Sequence, residues 1–123
     1  MAKFVESDDH VTLAQQTEND NGGPIILINR FSVNPEDADH FIKTWAADAA
    51  AFKKQPGFIS TQLHRGIAGS GIFVNYAVWE SSAAFKKATS NVDVQTILSK
   101  YPPSTVASPH LFRNVGVPGI CEG

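Results

Sequence analysis

Asn75 and Trp79 are the two side chains best suited by type and spacing to do chemistry together. They lie in Ile72–Trp79, a markedly apolar run that a polar side chain, Asn75, interrupts. As a strand, this run places Phe73, Asn75, Ala77 and Trp79 on one face and Ile72, Val74, Tyr76 and Val78 on the other. Both faces are mostly apolar, the pattern of a central strand covered on both sides. Ala77 is small and leaves room between the carboxamide and the indole. Both flanking groups donate N–H bonds. Two donors aimed into a dry space stabilise negative charge that develops on an oxygen. The plainer assignment makes Trp79 a core residue and bonds Asn75 to a neighbouring backbone group.

The elements that must position this pair follow from periodicity. Ile25–Phe31 is short, β-branched and bounded by Pro24 and Asn34-Pro35, which predicts a strand. Asn29 shares its face with Ile25, Leu27 and Phe31. Asn34-Pro35-Glu36-Asp37 predicts a helix start, with Asn34 as N-cap, Pro35 in the first turn and two carboxylates at the positive end of the dipole. Ala38, Phe41, Ile42, Trp45, Ala49 and Phe52 form its apolar stripe, and Pro56-Gly57 stops it. Asp39, His40, Lys43, Asp48 and Lys53 are assigned to the remaining, solvated surface. Phe58–Arg65 is a second strand, with Phe58, Ser60, Gln62 and His64 on one face. The glycine-rich segment 66–71 turns it into the Asn75 strand as a hairpin. Ser81-Ser82 opens a helical region with Ala84, Phe85 and Ala88 inward. A second stripe at Val94, Ile97, Leu98 and Tyr101 continues it as one broken helix or two. Residues 107–117 read as a last strand, with Pro109 marking an edge or bulge.

The order is β-α-β-β-α-β, an α+β ferredoxin-like arrangement: an antiparallel sheet with helices on one face. The other sheet face has no cover within the chain, and its apolar groups predict an interface, here a homodimer packing sheet on sheet. The Asn75/Trp79 face is assigned to that inner surface and the Tyr76 face to the helices, although periodicity permits the reverse. Residues 1–24 form an N-terminal extension or linker, 25–117 the domain and 118–123 a tail. Within the extension, Phe4-Val5 and Val11–Leu13 are short extended pieces, and residues 15–24 are polar, Gly-containing and loop-like.

Composition narrows the function classes. The 123 residues fit one domain, and 42% hydrophobic with 18% charged residues is globular. The net charge of −2 gives no electrostatic footprint for nucleic acid. No secretory signal and no membrane span are readable, so a cytoplasmic protein without nucleic-acid or membrane partners is expected. The single cysteine, Cys121, permits no intrachain disulfide. His10, His40, His64 and His110 are scattered without metal-ligand spacing, so no metal is expected.

Asn34-Pro35-Glu36-Asp37, Pro56-Gly57-Phe58 and Val74-Asn75-Tyr76-Ala77-Val78-Trp79-Glu80-Ser81, leading into Phe85, together resemble the antibiotic biosynthesis monooxygenase family of dimeric α/β barrels. The resemblance covers roughly residues 25–98. It implies a homodimer and, in one branch, cofactor-independent oxidation of an anthrone-like or quinol-like polycyclic aromatic by O2. That branch uses an Asn and a Trp four residues apart, which Asn75 and Trp79 match in type and spacing; the Tyr it places six residues after the Trp is Phe85 here. A haem-degrading branch uses an Asn on the first strand, matched by Asn29. The Trp and His it also needs fall at Ala88 and Leu98, so haem degradation is disfavoured. The resemblance thus implies Asn75 and Trp79 as catalytic residues, no cofactor, and Phe73, Ala77, Asn29, His64 and Phe85 as substrate-binding residues. His64 and His110 are candidate bases, and Arg30 and Arg65 could hold an acidic substituent. The alternative is a non-catalytic dimeric module that binds a small apolar ligand.

Overall fold

The structure is a computed structural model that describes residues 1–19 and 22–123. Its sheet has the strand order β1-β5-β2-β4-β3. β1 is Lys3–Phe4, β2 Ile25–Ser32, β3 Phe58–Arg65, β4 Ile72–Trp79 and β5 Val106–Phe112. β2 to β5 are mutually antiparallel in the ferredoxin-like order, and β1 joins β5 in parallel. The helices are α1 (Leu13–Glu18), α2 (Ala38–Phe52), α3 (Ser82–Ser90) and α4 (Val94–Lys100). No helix among the described residues is long and apolar enough to cross a membrane.

Local chemistry sets the helix ends. Pro35–Asp37 is a 3-10 turn that leads into α2. Asn34 caps it through its backbone carbonyl, which accepts from Asp37, rather than through its side chain. Ser81 caps α3 by accepting from the Ala84 N–H at 3.0 Å. Asp93 caps α4, its side chain accepting from the Gln95 and Thr96 N–H groups. The second helical region is therefore two helices.

Two apolar clusters lie under the helices. One joins Phe31, Phe41, Phe73 and Tyr101; the other joins Leu27, Ala77, Trp79, Phe85 and Leu111. This reverses the face assignment made from periodicity. Phe73, Ala77 and Trp79 are at most 2% exposed beneath the helices, whereas Tyr76 is 40% exposed on the far side. Either face of β4 is apolar enough to be covered; the stripe of α2 meets the one carrying the aromatic rings. Phe58 also changes sides. A bulge between Phe58 and Ser60 pairs Phe58 with Trp79, so Phe58 joins the helix face while Ser60, Gln62 and His64 stay on the other.

The N-terminal segment is part of the fold. Lys3 and Val5 donate to the Thr105 and Ala107 carbonyls of β5, and Ala2 is buried. Thr12 and Gln15 form a capping box that starts α1, so Gln15–Glu18, expected as loop, is helical; Asp20 and Asn21 lie outside the described residues. The Gln16 amide pins α1 to β5: it donates to His110 Nε2 and the Leu111 carbonyl and accepts from the Leu111 N–H. β5 is consequently not an edge over its first residues. Pro109 faces the same outer side as the Ala107 carbonyl, just past the end of β1, where a missing N–H leaves no ladder bond unmade.

Gly57 joins this frame at a close contact. Its φ is +88°, and a Cβ there would lie 2.4 Å from the Ala84 Cβ of α3. Gly57→Ala is expected to destabilise the fold by about 1–3 kcal/mol, read as a lower urea midpoint with an unchanged slope. Gln16→Ala is expected to leave the global midpoint nearly unmoved while residues 1–19 lose hydrogen-exchange protection. Equal protection in both proteins would refute the pinning role.

Candidate active site

A cavity of about 520 Å³ lies between the helices and the buried sheet face. Its position follows from the strand register. Across β2 and β4, Phe31 pairs with Phe73, Asn29 with Asn75 and Leu27 with Ala77. The first pair closes one core cluster and the third begins the other. The two asparagines form the seam between them, and Ala77 fills too little volume to close the space beside it.

Both amides are oriented by the protein. Thr61, diagonal to Asn75 on β3, donates its hydroxyl to Asn75 Oδ1 at 2.5 Å. The Ser108 N–H donates to Asn29 Oδ1 at 3.1 Å. With each oxygen engaged, each Nδ2 group is left without a protein acceptor among the described residues. Trp79 adds a third donor. Its Nε1 is buried and has no partner among the described residues, a desolvation cost of about 1–3 kcal/mol. Its ring is held edge-on by Phe52 of α2, Phe58 of β3 and Phe85 of α3, at centroid distances of 6.4, 5.4 and 5.8 Å. The site therefore combines apolar walls with three N–H donors, the composition that binds a flat aromatic carrying an oxygen.

The structure brings Asn29, Asn75, Ala77, Trp79 and Phe85 together around this one cavity. Phe73 is 1% exposed in the neighbouring core cluster and does not line it. His64 is also outside: it pairs with Val74 on the opposite sheet face and is exposed to solvent. His110 does not line the cavity and is held by Gln16. Arg65 Nε donates to the Ser70 carbonyl, and its guanidinium lies over Phe73. Neither histidine proposed as a base reaches the donors.

Two contributions were missed from the sequence. Asp48, assigned to the solvated surface of α2, lines the cavity, and its Oδ2 is sealed from water with no hydrogen-bond partner among the described residues. Burial raises its pKa above the ordinary carboxylate range, opposed by the Tyr101 hydroxyl and by Lys100. The same burial, with Asp48 beside it, pushes the Tyr101 hydroxyl upward. The available signal was spacing: Asp48 is three residues after Trp45 and four before Phe52, on one helix face with both. The second contribution is the N-terminal segment, whose Phe4, Glu6, Leu13, Ala14 and Thr17 form part of the wall.

Known proteins share this frame. Over 64 residues the chain is 38% identical to the deoxynogalonate monooxygenase of Streptomyces nogalater, spanning 52% of this chain and 53%, about half, of that relative. SnoaB, a cofactor-independent oxygenase from Streptomyces nogalater, superposes with a TM-score of 0.65 at 25% identity, over 79% of this chain and 98% of its own. A heme-degrading protein from Mycobacterium tuberculosis superposes with a TM-score of 0.56 at 25% identity, over 76% and 99%. The profile of the family described as antibiotic biosynthesis monooxygenase matches residues 24–99. With that match over more than half of its length, the chain belongs to the antibiotic biosynthesis monooxygenase family.

Proposed function

We propose that the protein is a cofactor-independent monooxygenase that oxidises an anthrone-like or quinol-like polycyclic aromatic with O2. The observation that carries this reading is the set of three N–H donors, from Asn29, Asn75 and Trp79, without protein acceptors among the described residues at a mostly apolar cavity. Likeness to SnoaB supports it. Deprotonation of the substrate moves charge onto its ring oxygen, and these donors stabilise that charge. The electron-rich carbanion then reduces O2. One oxygen atom stays on the carbon, the other leaves as water, and a CH2 group becomes a carbonyl. Phe52, Phe58 and Phe85 hold the ring and keep water out.

Haem chemistry does not fit these residues. Among the described residues no His, Cys or Met lines the cavity, and an axial ligand of such a type, or a Tyr, is required. Tyr101 is the lone candidate, and its hydroxyl faces Asp48. The competing reading, a ligand-binding module without turnover, is favoured by Phe85, which brings no hydroxyl to the cavity.

We also infer a homodimer through the uncovered sheet face, where Tyr76 and Phe112 are 40% and 42% exposed beside Val74 and Val78. The cavity then belongs to each subunit rather than lying between them.

Anthrone in air, followed by quinone absorbance, tests the activity. The protein is expected to exceed the spontaneous rate, and Asn75→Ala or Trp79→Phe to lower kcat about 100-fold, as for the loss of one oxyanion donor. Turnover no faster than buffer leaves the binding module. In light scattering the wild type is expected at twice the chain mass and Tyr76→Arg at a lower mass; a monomeric wild type refutes the dimer.

A further inference from the structure

We propose that Asp48 is the general base of this site, with the Tyr101 hydroxyl beside its carboxylate; this rests on the oxygenase reading above. The deprotonation step needs an acceptor in the cavity, and neither His64 nor His110 reaches it. Two carboxylates line it, Asp48 and Glu6. Glu6 is exposed, and its Oε1 already accepts from the Leu13 N–H at 2.9 Å. Asp48 differs in each respect. Its Oδ2 is sealed from water and has no donor among the described residues, and Trp45 and Phe52 line the same cavity.

Folding alone gives no reason for this arrangement. A carboxylate buried without a full set of donors costs stability, and an apolar side chain would not. The groups that face Asp48 are few. Tyr101 and Lys100, at the end of α4, both favour its charged form. Lys86 and Glu6 share the cavity wall. Desolvation is the largest influence and raises its proton affinity toward that of an effective base.

The proton balance closes on one residue. Asp48 takes a proton from the substrate CH2, and the carbanion electrons pass to O2, forming a C–O bond and a peroxide anion. The protonated Asp48 returns its proton to that anion, giving a hydroperoxide. Asp48 then removes the remaining C–H proton as the O–O bond breaks. Hydroxide leaves, takes that proton and departs as water.

Anthrone in D2O without O2 separates proton abstraction from oxygenation, because exchange of its CH2 hydrogens reads the first step alone. The wild type is expected to accelerate exchange, with a rate that rises through one ionisation above the ordinary carboxylate range. Asp48→Asn is expected to lose that acceleration by about 100-fold or more while still binding anthrone, read by quenching of tryptophan fluorescence. Tyr101→Phe leaves Asp48 in place and removes a group that favours its charge, so the midpoint of the pH profile is expected to move upward. A wild type that does not accelerate exchange, an Asp48→Asn variant that exchanges at the wild-type rate, or an unmoved midpoint in Tyr101→Phe would overturn the proposal. Exchange that depends on Asp48 without quinone formation in air would leave the base standing and remove the oxygenase reading.

Discussion

The clamp on Trp79 is the contact on which the remaining structure depends. Phe52, Phe58 and Phe85 come from α2, β3 and α3, and each meets the indole edge-on. Such pairs contribute about 0.5–1.5 kcal/mol each beyond burial. More consequential than the energy is the triangulation. Three elements are referred to one ring, so the distance between the helices and the sheet is set there. The space beside Ala77 persists because that distance cannot shrink without breaking the clamp.

A polar pair lies at the seam between the two core clusters. The Phe31–Phe73 pair on one side and the Leu27–Ala77 pair on the other are apolar, and the Asn29–Asn75 pair interrupts them. Satisfying only the oxygens of the two amides would be an error in a purely structural core, where half-satisfied networks are costly. Here the unmet donors, with the indole N–H, all belong to one cavity wall, opposite a helix that carries an unmet acceptor at Asp48. A site built in this way trades stability for a complementary environment.

Much of the fold was legible because local signals agreed with one another. The strand alternation around Asn75, the Asn34-Pro35 start and the Pro56-Gly57 stop all point to one topology, which the sheet order reproduces. The side of β4 that meets the helices was not legible, since both of its faces are apolar. A single bulged residue at Ile59 moved Phe58 to the cavity side, and no alternation rule anticipates a bulge. His64 was drawn toward the site by its titration range, although its parity puts it opposite Val74 on the far face. Asp48 was overlooked for the converse reason, because counting only apolar positions hides a polar residue within the stripe. The N-terminal segment looked like a linker because its anchoring residue, Gln16, is polar and finds its partners about 95 residues away.

That segment gives the cavity walls of unequal permanence. α2 and α3 bury Phe41 and Phe85 in the core, whereas α1 has no fully buried residue and is held by one glutamine and the flank of Leu13. Local opening follows such differences, with the least buried segment separating first. The least buried wall of the cavity is therefore a single short helix, while the aromatic clamp and the amide seam belong to the better-buried elements. The same hierarchy leaves the wall made by α1 the first to open and the wall made by the sheet the last.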